Sequence, residues 1–232
     1  REKVDNNGLI LIDAAAEFKM YSSDVTRTFP VNGKFTKVQQ DVYTEVLKAQ
    51  EIGIKNVTTK KTMSDIHTST VASISQSLVD LGLVPMGVEE TISMMHYFEF
   101  FMHGTGHWLG LDVHDAGTTE EKNKPRKLKP GMVTTVEPGI YIRPNKPEIE
   151  FKLLERDPKK IRERRKSLGM EKATKLESEE MKDAKSIKHK IPKDLLGIGI
   201  RIEDDIVCTE NDPINLTIGA PKTIDDVEAI CS

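Results

Sequence analysis

The chain is short of cysteine, of long apolar runs and of net charge, and each shortage removes a class of protein. Its 232 residues include two cysteines, Cys208 and Cys231, which form no metal-ligand spacing. They read as reduced thiols of a cytoplasmic protein rather than a disulfide framework. No apolar stretch approaches the ~20 residues that span a bilayer. The opening REKVDNNGL lacks the apolar core of a secretory signal. It also lacks an initiator Met, so the expectation is a fragment or a processed product. A net charge of −3 gives no argument for nucleic acid or a membrane as partner. What remains is a globular chain long enough to bury a real core, as one large domain or two small ones.

Charge, though balanced overall, is unevenly spread. Residues 151–190 hold fourteen Lys or Arg against eight Asp or Glu. The segment lies between two strand-like motifs, EPGIYI and GIGIRIED, and its apolar residues show only weak helical spacing. It reads as a solvated helical or partly disordered insertion, or as an oligomer contact or lid. Elsewhere, Leu9 to Ala15 and Asp24 to Phe29 read as strands joined by a reversal around Glu17 to Ser22. Thr36 and Gln39 form a capping box that opens a helix with Val38, Val42, Val46 and Ala49 on one face. Ser64 to Leu81 reads as a second helix, with Ile66, Val71, Ile74 and Leu78 inward. Gly131 to Val136 and Ile198 to Val207 read as strands, and Thr223 as the cap of a short C-terminal helix. The layout is α+β: a curved, mostly antiparallel sheet backed by helices.

The chemistry concentrates in four segments. Asp13 and Asp24 stand eleven residues apart across a turn. On a hairpin they can project onto one face, where like charges repel unless a cation holds them. Two surface aspartates at strand ends would give the same spacing. In HGTGHWLGLDVHD, His103, His107 and His114 bring three of the six histidines within twelve residues. Glycines at 104, 106 and 110 forbid a regular helix and allow close backbone approach. His67 and His96 have no such context and read as structural or exposed. Glu137 ends the run MVTTV before Pro138-Gly139, and a carboxylate there needs a cation or hydrogen bonds. Glu203 lies in GIGIRIEDDI, an alternating strand that turns Arg201 and Glu203 to the same face. Either glutamate alone could be an ordinary strand-end acid. Taken together, four carboxylates and one imidazole (Asp13, Asp24, Glu137, Glu203 and His107) can neutralise two divalent cations. Mn2+ suits the oxygen-rich donors first, with Co2+ or Zn2+ as alternatives.

The motifs DAAAEFKMYSSDVTRTFP, HGTGHWLGLDVHD, TVEPGIYI and GIGIRIEDD occur in an order that resembles the pita-bread metallopeptidases. These are the family of aminopeptidase P, prolidase and methionine aminopeptidase, and the motifs look most like the aminopeptidase P group. The resemblance runs from about Gly8 to Ile230, the charged insertion excepted. It implies two pseudo-symmetric α+β halves enclosing a dinuclear centre. It implies that Asp13 chelates one ion, that Asp24 and Glu203 bridge both, and that His107 and Glu137 complete the second. Glu137 would also be the general base. His103 and His114 would line the substrate site, with His114 on the scissile carbonyl. Arg201 would pair with a ligand carboxylate. The implied reaction is hydrolysis of an N-terminal Xaa-Pro bond in peptides with proline second. The alternatives are a prolidase confined to Xaa-Pro dipeptides and a non-catalytic module that binds peptides. The resemblance further implies an N-terminally incomplete catalytic domain over residues 1–232, lacking the first part of the pita-bread fold and interrupted by 151–190. It implies little activity for this fragment alone, a homo-oligomeric state, and an upstream part of the same enzyme as partner. Here DAAA stands where the family often has DAG, and GTGH where it often has GTSH.

Overall fold

The computed structural model describes residues 4–122 and 124–231. Strand β1 (Leu9–Ala14) runs into a tight hairpin, β2 (Glu17–Phe18) and β3 (Tyr21–Ser22), and returns as β4 (Val25–Pro30). The reversal turns on Lys19 and Met20, both left-handed, the pair of conformations that suits the twist of a two-residue hairpin. β1 and β4 pair antiparallel with Asp13 opposite Thr26. Alternate residues Asp24, Thr26 and Thr28 are buried, as period 2 requires.

Helix α1 (Lys37–Lys55) opens on the expected capping box of Thr36 and Gln39. Val42, Val46 and Ala49 on its inner face are fully buried, and Val38 packs beside them. Helix α2 (Met63–Asp80) has a capping box of its own, Thr62 with Asp65, and so begins one residue before the expected start. Ile66, Val71, Ile74 and Leu78 point inward as expected. The short α3 (Val88–Ser93) follows, then a small hairpin of β5 (Glu120–Glu121) and β6 (Lys124–Pro125).

The second half differs from expectation in two places. Strands β7 (Val133–Val136), β8 (Gly139–Tyr141) and β9 (Glu148–Lys152) come first. Helices α4 (Pro158–Leu168) and α5 (Met170–Asp183) lead to β10 (Ser186–Lys190), β11 (Gly199–Arg201), β12 (Asp204–Val207), β13 (Ile214–Asn215) and α6 (Ile224–Cys231). The single strand expected from Ile198 to Val207 is two strands, because it changes partner: β11 pairs with β8, and β12 with β7. Pro138 interrupts the partner ladder at the same level, since it has no N–H to donate. Glu137 and Glu203 therefore sit at two facing strand breaks. Between strands, every pairing among the described residues is antiparallel.

The charged segment is also more ordered than its spacing suggested. Its two ends are paired strands, β9 with β10, and Ile149, Phe151 and Ile191 belong to the main core. Only the hairpin of α4 and α5 leaves that core. It turns on Gly169 at a φ of 78° and is held by Arg164–Glu180 and Arg165–Glu177 pairs, both 2.8 Å. The core itself fills the space between α1, α2 and the β8–β11 pair, with Val46, Ile74, Leu78, Ile140, Ile200 and Ile202 fully buried. Thr223 caps α6 as expected, accepting from the Asp226 amide at 3.2 Å.

Candidate metal centre

The segment after Phe101 lies along β7 like a further strand. Glu137 N–H donates to Thr105 O at 2.7 Å, Thr135 N–H to His107 O at 3.0 Å, and Leu109 N–H to Val133 O at 3.2 Å. Gly106 makes this approach possible: a Cβ there would stand 1.9 Å from Thr135 O. Gly110 leaves room for Asp115 in the same way, with a Cβ meeting its carboxylate at 2.0 Å. The register sets His107 beside Glu137, Nε2 to Oε1 3.5 Å. It also sets His107 Nε2 3.4 Å from Asp24 Oδ2. Asp24, His107 and Glu203 each offer a donor atom within 4.8 Å of the others.

The donor set fits a divalent cation. His107 Nδ1 lies 3.0 Å from Trp108 O, which can only accept, so Nδ1 carries a proton there and Nε2 is the nitrogen that faces the carboxylates and could ligate a cation. Glu203 Oε2 accepts from Thr26 Oγ1 at 2.5 Å, while its buried Oε1 has no hydrogen-bond partner. Burial first, and the neighbouring Glu137 charge second, push Glu203 up to about 8. Burial also raises Glu137 and, together with a hydrogen bond and the charge of Asp13, raises Asp24. Crowded acids held above their ordinary range are what a bound cation would ionise.

Asp13 lies at the open edge of this cluster, on the same strand face as Asp24 and Thr26, and contacts Arg201 Nη2. The expected convergence of Arg201 and Glu203 is met at one atom: Arg201 Nε donates to Thr26 Oγ1 at 3.0 Å, and that hydroxyl donates to Glu203. His103 gives its Nδ1 proton to Gly104 O at 2.7 Å, leaving Nε2 to accept from the Tyr141 hydroxyl at 2.8 Å. Arg201 Nη1 in turn donates to that hydroxyl at 3.3 Å. His114 is exposed, its ring edge-on to His107 with centroids 4.2 Å apart. All seven expected side chains thus lie in or around one cluster.

Three further side chains that were not expected border this cluster. Thr26 was legible, since period 2 on β4 puts it on the face of Asp24. Tyr141 lies in the quoted motif EPGIYI, where Gly139 clears space for its hydroxyl. Asp205 accepts the Asp24 amide at 3.0 Å, and burial chiefly raises it to about 6. His67, expected to be structural or exposed, is half-buried and packs in a structural role, reaching Thr105 Oγ1 at 2.9 Å beside His103, and burial lowers its pKa. His96 is buried edge-on to Phe151.

Residues 1–210 match the metallopeptidase family M24. The chain is 38% identical to the Xaa-Pro aminopeptidase of Haemophilus influenzae over 225 residues, which are 97% of this chain and 42% of that protein. It is 38% identical to the Xaa-Pro aminopeptidase of Escherichia coli over 222 residues, 96% of this chain and 40% of that one. Among solved structures it resembles the Pseudomonas aeruginosa aminopeptidase PepP, with a TM-score of 0.76 and 37% identity over 97% of this chain and 42% of the other. Aminopeptidase P from E. coli with the inhibitor Pro-Leu gives a TM-score of 0.75 at 36% identity, over 97% and 42%. The expected α+β architecture is thus the one these structures have. The chain spans about two fifths of the length of the curated relatives it matches. Among the described residues no helix is long and apolar enough to cross a membrane.

Proposed function

The chain belongs to metallopeptidase family M24, and from that membership we propose that it forms the metal-binding part of an Xaa-Pro aminopeptidase. Asp13, Asp24, His107, Glu137 and Glu203 would hold two divalent cations, Mn2+ before Co2+ or Zn2+. The observation that carries this reading is the meeting of Asp24, His107 and Glu203 donor atoms within 4.8 Å, with a buried Glu203 oxygen left unpartnered. Bound there, the cations would polarise a carbonyl and lower the pKa of water toward ~7.

The protein's own groups divide the remaining work. Glu137, raised by burial, takes the proton of the attacking water at a carboxylate oxygen. His114, exposed beside His107, donates to the carbonyl oxygen as charge develops on it. Tyr141 and the Gly104 carbonyl fix the His103 ring from both nitrogens, so that it lines the substrate side in one orientation. Arg201 orients Asp13 and, through Thr26, Glu203. Proline in second place makes the scissile bond a tertiary amide without an N–H. Such a site has no amide proton to recognise and relies on these donors. Residues 1–232 supply in this reading the metal ligands of a catalytic domain that the upstream part of the enzyme completes, with 151–190 as an excursion from it. The two free thiols agree with a cytoplasmic setting.

A peptide-length series with Mn2+ tests the proposal. Release of the first residue from Xaa-Pro-Xaa tripeptides is expected. Cleavage of Xaa-Pro dipeptides alone would make the site a prolidase, and cleavage of neither by the chain joined to the upstream part of the enzyme would overturn the reaction.

A further inference from the structure

Behind the metal centre lies a second charge cluster that the reaction leaves unused. Asp204 is fully buried and accepts five hydrogen bonds. Its Oδ1 takes Arg27 Nη2 at 2.7 Å and Thr217 Oγ1 at 2.9 Å. Its Oδ2 takes Lys222 Nζ at 2.7 Å, Gln50 Nε2 at 2.8 Å and Asn215 Nδ2 at 2.9 Å. Burial would raise this carboxyl, but Arg27 and Lys222 outweigh it and hold the group below its ordinary range. Lys222 is itself fixed by α1: its Nζ donates to Gln50 Oε1 at 3.0 Å, and its carbonyl accepts from Tyr43 OH at 3.0 Å.

Arg27 links this cluster to the metal centre. Its Nη1 donates to Thr26 O at 2.9 Å and to Glu203 O at 2.5 Å. Its Nε and Nη2 donate to Pro221 O and Ala220 O at 2.8 and 2.9 Å. Glu203 N–H donates to Thr26 O at 3.1 Å, so one guanidinium secures both sides of the junction where β4 meets the Glu203 break. The Asp24 amide is tied to Asp205, two residues beyond Glu203, and the amide and carbonyl of Asp205 are held by Thr217 Oγ1 and Leu216 N–H. The segment from Asn215 to Lys222 thus straps the back of the site, and it lies beyond the residues 1–210 that match the family.

A buried ion pair returns about what its desolvation costs. Its worth here lies in what it holds in place. We propose that Lys222 is a positioning residue for the metal centre: through Asp204 and Arg27 it fixes the backbone that carries Asp24 and Glu203. The inference rests on the metal-centre reading above and extends it to the strap.

The test is calorimetric titration of Mn2+ into the chelator-stripped full chain. Lys222→Met is expected to weaken Mn2+ binding at least about tenfold, the usual scale for groups that orient metal ligands. Lys222→Arg, which keeps the cation, should stay near wild type. Lys222→Gln, which keeps a donor but no charge, should fall between, and it serves if Lys222→Met does not fold. Leu78→Val, in the α2 core, supplies a variant of lowered thermal stability with the strap intact, and its Mn2+ affinity should match wild type. Unchanged affinity in both Lys222→Met and Lys222→Gln overturns the inference. So does an equal loss in Leu78→Val, which would trace the effect to stability alone. A wild type that binds no Mn2+ overturns the inference and the metal centre together. A wild type that binds Mn2+ without cleaving Xaa-Pro peptides, with Lys222→Met still weakened, upholds the positioning role and tells against the reaction only.

Discussion

Glu203 has the most strained electrostatics in the centre, because it is buried among other acids with one oxygen unpartnered. Its folded pKa of about 8 lies above the ordinary 4.5, so the fold binds its proton more tightly than the unfolded chain does. That stability is fully present below the unfolded value and is lost as pH rises through about 8. Glu137, Asp24 and Asp205 are raised as well and act with the same sign. Burial lowers His67, His96 and His103, whose contribution has the opposite sign but is complete by about pH 6.5; above that, the melting temperature of the metal-stripped protein should fall up to about pH 8.5. Saturating Mn2+ should flatten or reverse that slope by favouring the ionised acids. A melting temperature of the stripped protein that rises across this window would show that these carboxyls are not held protonated. His114 allows a separate test. Removing one donor of this kind costs about 10²–10³ in kcat. His114→Ala should lose turnover on that scale while calorimetry finds Mn2+ affinity unchanged. Loss of metal instead would make His114 a ligand.

Among the elements, the glycine-rich segment along β7 leaves no room for a side chain at Gly106 or Gly110. Gly106→Ala drives a Cβ into the Thr135 carbonyl. The two backbones must part, at a cost on the order of 1–3 kcal/mol. Urea unfolding should show that loss together with weaker Mn2+ binding, because His107 shifts away from Glu137. An unaltered Gly106→Ala protein would mean that the segment can re-register. This element was legible in the sequence because its signal is local: three histidines and three glycines within one run. The hairpin bearing Asp13 and Asp24 was legible for the same reason, as was α1, whose capping box spans four residues; α2 was legible only from its apolar spacing, and its box at Thr62 and Asp65 was not read. The break at Ile202–Glu203 was not legible, because it faces Pro138, which lies between β7 and β8 and is distant in sequence. Likewise the alternation of Ser186 to Lys190 gives no sign that its partner is β9. In the sequence Asp205 is one more acid in a row; only the fold sets it against the Asp24 amide.

At the scale of the whole molecule, the α4–α5 hairpin stands outside the main core, and only Ala173 in it is buried within those two helices. Replacing residues 157–183 by a short Gly-Ser linker, with β9 and β10 kept paired, should leave Mn2+ affinity intact. Loop closure changes by only about 0.6 kcal/mol per doubling of length, so peptidase activity should change less than about tenfold. Loss of the cooperative unfolding transition would show that the hairpin is needed to fold. The centre itself is joined across the chain: the Asp24 amide reaches a carboxylate 181 residues later, and the Thr26 hydroxyl one 177 residues later. Contacts of such separation form late, after the local helices and hairpins. The cation site therefore does not exist until the topology is complete, and the ion can act only on the finished fold. In a chevron experiment Mn2+ should slow the unfolding limb and leave the refolding limb where it was. Faster refolding with Mn2+ would mean that the ends of the chain meet before the middle has folded.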